Sequence, residues 1–407
     1  MSPLARRIAP AAGLLLSLGV VAALGGVRTR PVESLAALGV AFGFYAWAAA
    51  RGGHTVREVV VVAVLARCVL FSLPASDDVA RYVWEGRAVL SGIDPYRVAP
   101  DASTGVNHPG IGAIYPPVAL AAEALGALLG AGEVGQKAVF VVLDLAVVVL
   151  LLDLRGVGPR ALLYAWNPLV LVAFAHEGHN DSAMLFLATL AWWLSDRGHR
   201  VATGLALGGA CLAKLPAFIL LPAFARRLRG RGFAAVGLFV AAVLVAISGS
   251  VVAWSVNLRQ FGDMRFNGSL CPALEIHLPP GAARWVLGAC VLAVAALFAA
   301  RRPLPDAAAV GMAALLAASP TVHPWYVTWL LPFAAAAPRP WILVWSVTAL
   351  LGYLPWEAAR QGEGWVEWSW VPWATYSPVL AAVLWQAFSW RRSGASITST
   401  ALKGATT

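Results

Sequence analysis

Long apolar runs that carry few charges are the feature that most constrains this chain. Runs such as 136–153 and 283–300 have about the length, roughly 17–25 residues, that a helix needs to cross the hydrocarbon of a bilayer. In hydrocarbon, every backbone N–H and C=O must be satisfied within the protein, so a spanning element is a helix or part of a closed barrel. These runs are rich in Ala, Leu and Val and do not alternate with polar residues. They therefore predict an all-α polytopic membrane protein.

The composition supports a membrane location and argues against nucleic acid as a partner. Hydrophobic residues make up 60% of the chain and charged residues 12%, whereas soluble proteins carry about 25% charge. The net charge is +10, but the basic residues stand in short clusters between apolar runs, as in cytoplasmic loops of membrane proteins. The predicted partners therefore include membrane lipids and no nucleic acid. Four cysteines without metal-site spacing predict free thiols: Cys68, Cys211, Cys271 and Cys290.

We predict about 12–14 transmembrane helices in one domain, 1–395, followed by a cytoplasmic tail, 396–407. Residues 1–27 also resemble a signal peptide, but they lack a small-x-small cleavage site, which favours an uncleaved first helix. The predicted spans are 9–27, 32–50, 56–73, 136–153, 161–175, 181–195, 200–212, 214–225, 232–254, 283–300, 306–319, 325–338, 340–355 and 371–390.

The Arg clusters predict the orientation, because short cytoplasmic loops are enriched in Lys and Arg. If the Arg clusters are cytoplasmic, the segment 112–131 cannot cross the membrane. We therefore predict that it is an amphipathic or re-entrant segment on the outer face. The same orientation also requires that 200–225 enters and returns, with a break near Lys214. Arg28 and Arg30 violate this rule.

The unusual polar residues then fall on one side, outside the cell membrane. They lie in the first outer loop, 74–112, in two short turns, 176–181 and 320–324, and in two later outer loops, 255–282 and 356–370. Their convergence predicts a single extracytoplasmic site.

The first outer loop holds two adjacent carboxylates, Asp77 and Asp78, in Ser-Asp-Asp-Val-Ala-Arg-Tyr-Val-Trp-Glu-Gly-Arg. One carboxylate suits a general base toward a hydroxyl, with the other orienting it or holding a cation. Arg81 and Arg87 suit pairing with an acidic residue or with an anionic substrate group. The alternative is a solvated helix cap with ordinary salt bridges.

A second polar turn reads His176-Glu177-Gly178-His179-Asn180-Asp181. A zinc site is disfavoured, because the metalloprotease pattern places its two His residues four apart on a helix and here they are three apart. We predict no metal ligands. Recognition of substrate hydroxyls and an ordinary polar turn are the two interpretations left.

Two further residues stand out by position. Lys214 lies within an apolar stretch, where a cation needs an anionic partner or water; a lipid phosphate and snorkelling to the interface are the alternatives. His323 lies between prolines at a predicted helix end, where it suits donation to a phosphate or simple helix capping. The tryptophans of 356–370 are typical of membrane-interface anchors.

Together these motifs resemble bacterial GT-C glycosyltransferases, most closely the polyprenyl-phosphate-mannose-dependent mannosyltransferases of actinobacteria. The resemblance spans about residues 70–335 and adds to the first-loop motif the pieces Asp94-Pro95-Tyr96, His108-Pro109, Ile114-Tyr115-Pro116-Pro117, Trp166-Asn167-Pro168, Gly178-His179-Asn180-Asp181, Lys214 and His323-Pro324-Trp325-Tyr326. Glu85 departs from the Asp that is frequent in that family, and Ala80 from a frequent Tyr.

The resemblance implies a GT-C-type bundle that transfers a sugar, expected to be mannose, from a polyprenyl-phosphate donor to a hydroxyl of a glycan or glycolipid acceptor, with inversion at the anomeric carbon. It implies that Asp77 or Asp78 is the general base, with a preference for Asp77. Lys214, His323 and Arg81 are the predicted ligands of the donor phosphate. The predicted substrate-binding residues are Glu85, Arg87, Tyr115, His179, Asn180 and Asp181. No cofactor is required by this chemistry, although a divalent cation beside the acidic pair is an alternative.

Two other functions fit the same composition. A transporter or lipid flippase would also have broken helices and buried charge, but it would be expected to show two related halves, and no internal repeat is detected. A non-catalytic membrane subunit would not need acidic, basic and His residues facing one compartment.

Overall fold

The structure is a computed structural model that describes the backbone of residues 3–262 and 264–403 and the side chains of 8–262, 264–279 and 281–389. These residues form helices and turns, with isolated bridges at Phe266, Asn267 and Thr321 in place of any strand. The all-helical fold class is therefore confirmed. The helices are α1 (Pro3–Ala23), α2 (Pro31–Arg51), α3 (Val56–Phe71), α4 (Asp77–Leu90), α5 (Pro117–Leu128), α6 (Glu133–Asp153), α7 (Leu162–Ala165), α8 (Pro168–Leu171), α9 (Asp181–Asp196), α10 (Arg200–Ala213), α11 (Leu221–Ala246), α12 (Val251–Phe261), α13 (Leu270–Glu275), α14 (Pro280–Arg301), α15 (Leu304–Ala318), α16 (Leu331–Ala336), α17 (Pro340–Thr348), α18 (Pro355–Arg360) and α19 (Trp370–Lys403).

Five helical stretches are long and apolar enough to cross a membrane among the residues that the structure describes. They are Pro31–Arg51, Glu133–Asp153, Leu215–Ala246, Gly281–Arg301 and Pro340–Arg360. Shorter apolar helices accompany them, at Ile8–Ala23, Pro117–Leu128, Arg200–Ala213 and Leu304–Ala318. The chain is therefore a helical membrane protein. The cytoplasmic tail 396–407 stays a prediction; α19 runs through its first residues, and 404–407 lie outside the described part.

The predicted span 161–175 is broken rather than continuous. A short α7 ends before Trp166, α8 begins at Pro168, and a π-helical turn follows at Val172–His176. Proline lacks the N–H that would continue α7, and the side chain of Asn167 accepts a hydrogen bond from the backbone N–H of Leu169 at 3.0 Å, which starts the new helix.

The stretch 200–254 contains two breaks. The first lies at Lys214, whose backbone is extended (φ −155°, ψ 123°), as the sequence predicts. The second lies within α11, where Arg229 has a positive φ of 48°. The predicted span 232–254 ends earlier, because α11 stops at Ala246 and a short 3-10 turn, Ser248–Ser250, precedes α12.

The first predicted outer loop, 74–112, contains a helix, α4. Its helix α4 packs against α5, closely enough that a Cβ on Gly86 would lie 2.4 Å from the backbone oxygen of Glu123. With 12 residues, α5 is about 18 Å long, which is shorter than the roughly 30 Å of hydrocarbon in a bilayer. We therefore treat α4 and α5 as lying outside the spanning segments. The side of the membrane that they occupy stays a prediction.

Candidate active site

A cavity of about 570 Å³ is lined by residues of α4, of the loop that follows α4 and of the segment after α15. Its lining is mostly aromatic, basic and acidic. The lining residues on which the following description depends are Arg28, Asp77, Asp78, Arg81, Asn107, Tyr115, Phe266, His323, Trp325, Tyr326 and Trp356.

The acidic pair forms the first turn of α4, where the helix N-terminus favours negative charge. The side-chain amide of Asn107 donates to both carboxylates, at 2.8 Å to Oδ1 of Asp78 and at 3.3 Å to Oδ2 of Asp77. Upstream, the backbone N–H of Ser76 donates to the carbonyl of Glu177 at 2.9 Å, which ties α4 to the turn 176–181. The predicted acidic pair is thus held at the cavity from two sides.

Arg28 is a site residue that the sequence interpretation missed. Its Nη1 lies 2.5 Å from Oδ1 of Asp77, and its Nε donates to Oε2 of Glu177 at 2.8 Å. Its guanidinium also lies 4.1 Å from the centre of the Trp356 ring. Nη2 has no protein acceptor among the described residues. The signal in the sequence was its violation of the charge rule for loops, since a basic residue on the other side of the membrane needs a reason of its own.

The turn between α1 and α2 delivers this arginine to the cavity. Gly25 and Gly26 have φ values of 85° and 86°, which favour glycine. A Cβ on Gly26 would lie 2.1 Å from Nε2 of His176, and that same nitrogen accepts the backbone N–H of Val27 at 3.1 Å. The turn is therefore fitted against His176.

The two aspartates differ in protonation. Burial acts to raise the pKa of Asp77, but the charge and hydrogen bond of Arg28, with the hydrogen bond from Asn107, lower it below its ordinary value. Burial raises the pKa of Asp78, and the neighbouring charge of Asp77 raises it further. Among the described residues, no donor forms a hydrogen bond to Oδ2 of Asp78, and Nδ1 of His179 lies 3.6 Å from it. Asp78 is the better proton acceptor of the two near neutral pH.

His179 lies behind the cavity lining and begins a row of stacked rings whose other members line the cavity. Its ring stacks on Trp325 with centroids 3.7 Å apart, Trp325 stacks on His323 at 4.5 Å, and His323 stacks on Phe266 at 4.8 Å. Burial, together with the charges of Arg28 and Lys214, lowers the pKa of His179 well below its ordinary value. Burial likewise lowers the pKa of His323 to about 3. Both imidazoles are therefore neutral near pH 7.

Lys214 lies deeper, at the break after α10. Its Nζ contacts Oδ2 of Asp181 at 2.6 Å, and Trp329 donates to the other oxygen of that carboxylate at 2.6 Å. The ammonium lies 5.2 Å from the ring centres of Tyr115 and Tyr326, which line the cavity. The structure thus brings Lys214, Asp181 and Tyr115 together behind the acidic pair.

Other predicted residues have different surroundings. All five N–H groups of Arg81 face protein acceptors: Nε binds Glu85 at 2.7 Å, and the terminal nitrogens bind the carbonyls of residues 107, 108, 111 and 112 at 2.6–3.3 Å. Glu85 is fully buried. Asn180 donates to Glu123 at 3.1 Å. Arg87 is exposed and outside the cavity lining. In this structure Arg81, Glu85 and Asn180 hold protein segments together.

Within the described residues, no group of three or more His, Cys, Asp and Glu side chains has an arrangement that would hold a metal ion. The requirement for a cofactor stays a prediction.

Comparison with known proteins gives one match. A family model described as "Alpha-(1->6)-mannopyranosyltransferase, N-terminal domain" matches residues 8–229. These residues include Arg28, the acidic pair, Asp181 and Lys214. No curated protein and no solved structure matches the chain. Because the family match covers more than half of the sequence, the chain belongs to this mannosyltransferase family.

Proposed function

We propose that the protein transfers mannose from a polyprenyl-phosphate donor to a hydroxyl of a glycan or glycolipid acceptor on the extracytoplasmic side. The observation that carries the proposal is the unequal acidic pair. Asp77 is bound to a cation, while Asp78 has a raised pKa and a free oxygen. Both face a cavity that also meets Arg28 and His323.

Asp78 is the general base in this proposal. A base must accept a proton at the working pH, and its efficiency is greatest when its pKa approaches that pH. Asp77 has its pKa lowered by Arg28, so it is the weaker base. Its negative charge instead keeps the pKa of Asp78 raised.

The reaction is then a single displacement. The acceptor O–H gives its proton to Asp78 as its oxygen forms the new bond to the anomeric carbon. The bond from that carbon to the phosphate oxygen breaks on the opposite side, and polyprenyl phosphate leaves with the electron pair. The displacement inverts the anomeric centre.

Negative charge developing on the leaving phosphate needs fixed donors. Arg28 suits this role, because its Nη2 has no protein acceptor. Lys214 contributes a fixed positive charge behind Tyr115, and neutral His323 offers one ring N–H. Arg81 takes a positioning role here instead of the predicted phosphate contact, because its N–H groups are occupied.

The polyprenyl tail would lie between the membrane helices, which explains why the reaction belongs in a membrane protein. The acceptor sugar would stack on the aromatic rings of the cavity, where His323 and Trp325 form one wall. The donor is a phosphodiester and its leaving group carries a single phosphate, so we expect transfer without a metal ion.

The test is an in vitro assay with the purified full chain, polyprenyl-phosphate-mannose and a panel of mannosidic acceptors. We expect transfer in the presence of a chelator, and its loss in Asp78→Asn. Donor movement between vesicle leaflets without sugar transfer would overturn the proposal in favour of a flippase.

A further inference from the structure

Two buried carboxyl groups outside the cavity lining are not used by the mechanism above. Glu85 of α4 and Glu123 of α5 are both fully buried. They meet where the two helices approach most closely, beside Gly86, and their carboxyl groups lie within hydrogen-bonding reach of each other.

The charges at this contact do not balance if both carboxyl groups are ionised. One oxygen of Glu85 accepts from Arg81 at 2.7 Å, and one oxygen of Glu123 accepts from Asn180 at 3.1 Å. Among the described residues, no other group donates a hydrogen bond to the second oxygen of either carboxyl group, and both of these oxygens are buried. Two carboxylates that share a dry site do not both ionise readily, and an unpaired buried charge is strongly destabilising. One proton between the two free oxygens satisfies both and leaves a single negative charge opposite Arg81.

Each glutamate of this pair is connected by hydrogen bonds to a segment that lies beside Asp77 and Asp78. Glu85 holds Arg81, whose terminal nitrogens bind the carbonyls of Asn107 and His108. The side chain of that same Asn107 donates to both aspartates.

Glu123 is connected to a second segment, the turn 176–181. Its carboxyl group accepts a hydrogen bond from Asn180. The two chain neighbours of Asn180 both belong to the site: His179 lies beside Asp78, and Asp181 binds Lys214. The carboxyl pair thus joins the two segments that enclose the acidic pair.

We propose that Glu85 and Glu123 share one proton, and that this protonated pair is a positioning device that keeps the transferase site assembled and releases it at alkaline pH. The inference rests on the proposed function for its activity readout, but its protonation can be measured without activity.

The surroundings of the pair make the proton essential. The charged or titratable groups that face it are Arg81 and Asp78 of α4 and Tyr96 of the following loop. Gln136 of α6, which donates to the backbone carbonyl of Glu123 at 2.6 Å, is neutral, as is Asn180. Burial raises the pKa of both carboxyl groups, and their mutual repulsion raises that of Glu123 further. When the shared proton is lost at high pH, both glutamates are negatively charged and Arg81 is the one cation that faces them among the groups named above.

The sharpest variant is Glu123→Gln, because a glutamine amide donates permanently to Glu85 while its oxygen still accepts from Asn180. We expect the alkaline limb of the pH profile of kcat/KM to move up by about one pH unit or more, with activity at neutral pH within about threefold of the wild type. Exposed Glu133→Gln at the start of α6 is the matched control and should leave the profile unchanged. A purely structural glutamate would lower the rate without moving the limb.

Infrared spectroscopy of the full chain tests the shared proton directly. At mildly alkaline pH, we expect a buried carboxylic-acid band in the wild type that is absent from Glu123→Gln and retained in Glu133→Gln. If Glu123→Gln fails to fold, Glu85→Gln serves the same two measurements. The inference is overturned if an active variant keeps the wild-type alkaline limb of its pH profile, or if the variant loses no carboxylic-acid band in the infrared spectrum. Either result leaves the proposed function intact, because the function is tested by the loss of transfer in Asp78→Asn. A wild-type protein that shows the acid band but transfers no sugar would overturn the proposed function and not this inference.

Discussion

Nη1 of Arg28 lies 2.5 Å from Oδ1 of Asp77, 49 residues further along the chain, and Nε of the same guanidinium binds Glu177. This contact makes two adjacent aspartates chemically unequal. Asp77 is held as an ionised partner of the arginine, whereas the free oxygen of Asp78 is left to accept a proton.

The first prediction separates the two aspartates. Asp78→Asn should lower kcat by about 10²–10⁴-fold, the usual contribution of a general base. Asp77→Asn should keep part of the activity and move the acidic limb of the pH profile to lower pH, because losing a neighbouring negative charge lowers the pKa of Asp78. The measurement is kcat/KM between mildly acidic and neutral pH. Near-full activity of Asp78→Asn in a well-folded preparation would contradict the assignment.

The second prediction concerns the arginine itself. Replacing Arg28 with Gln removes charge-assisted hydrogen bonds worth about 1.5–3 kcal/mol, so kcat/KM for the donor should fall by roughly 10–100-fold. Exposed Arg30→Gln is the matched control and should change the rate little. Equal effects of the two substitutions would show that only the overall positive charge matters.

The third prediction tests the glycine turn that carries the arginine. Gly26→Ala should reduce folded yield and activity, because a Cβ there would lie 2.1 Å from Nε2 of His176. Gly53→Ala is the control, since Gly53 also has a positive φ, of 71°, but its Cβ would meet no atom within 4 Å. The control should cost only the backbone strain, about 1–2 kcal/mol. Thermal unfolding in detergent and the transfer rate measure both effects, and indistinguishable variants would refute the proposed fit.

The fourth prediction concerns the buried ion pair of Lys214 and Asp181. Lys214→Met should destabilise the protein by about 3–5 kcal/mol, because it leaves the carboxylate of Asp181 buried without its cation. Adding Asp181→Asn should restore much of the stability, yet transfer should stay low if the ammonium stabilises the leaving phosphate. Thermal unfolding and donor KM are measured on both variants. A double variant with wild-type turnover would remove Lys214 from the reaction.

The fifth prediction concerns sidedness. Ser103 and Gly230 are both exposed, and the predicted topology places them on opposite sides of the membrane. In a Cys-free background, a membrane-impermeant thiol reagent should label Ser103→Cys from outside intact cells and should not label Gly230→Cys. The reverse pattern would invalidate the topology and the extracytoplasmic site together.

Local sequence signals found the parts of the site that lie on one short segment. The acidic pair at the start of α4, the polar turn 176–181 and the break at Lys214 were all visible as polar residues interrupting apolar runs. The contacts among them were not visible. Arg28 reaches Asp77 across two membrane helices, and no periodicity encodes that approach.

Glu123 and Asn107 show why other contacts of the site could not be predicted from the sequence. Glu123 lies in an apolar stretch where its burial depends on a facing glycine in α4, so its role is a property of packing. Asn107 lies in a loop whose shape is fixed by the carbonyl contacts of Arg81. The family resemblance identified Arg81 and Glu85 as functional positions, but their partners became apparent only from the three-dimensional arrangement.

The contact between Arg28 and the ring of Trp356 also bears on the order in which the protein becomes active during synthesis. The first of these residues emerges from the ribosome among the earliest, and the second only after most of the chain has been made. The cavity wall that they share therefore forms after nearly all membrane helices have inserted, since contacts distant in sequence require prior chain closure. A nascent chain that stalls before its final helices would therefore hold the acidic pair without this wall.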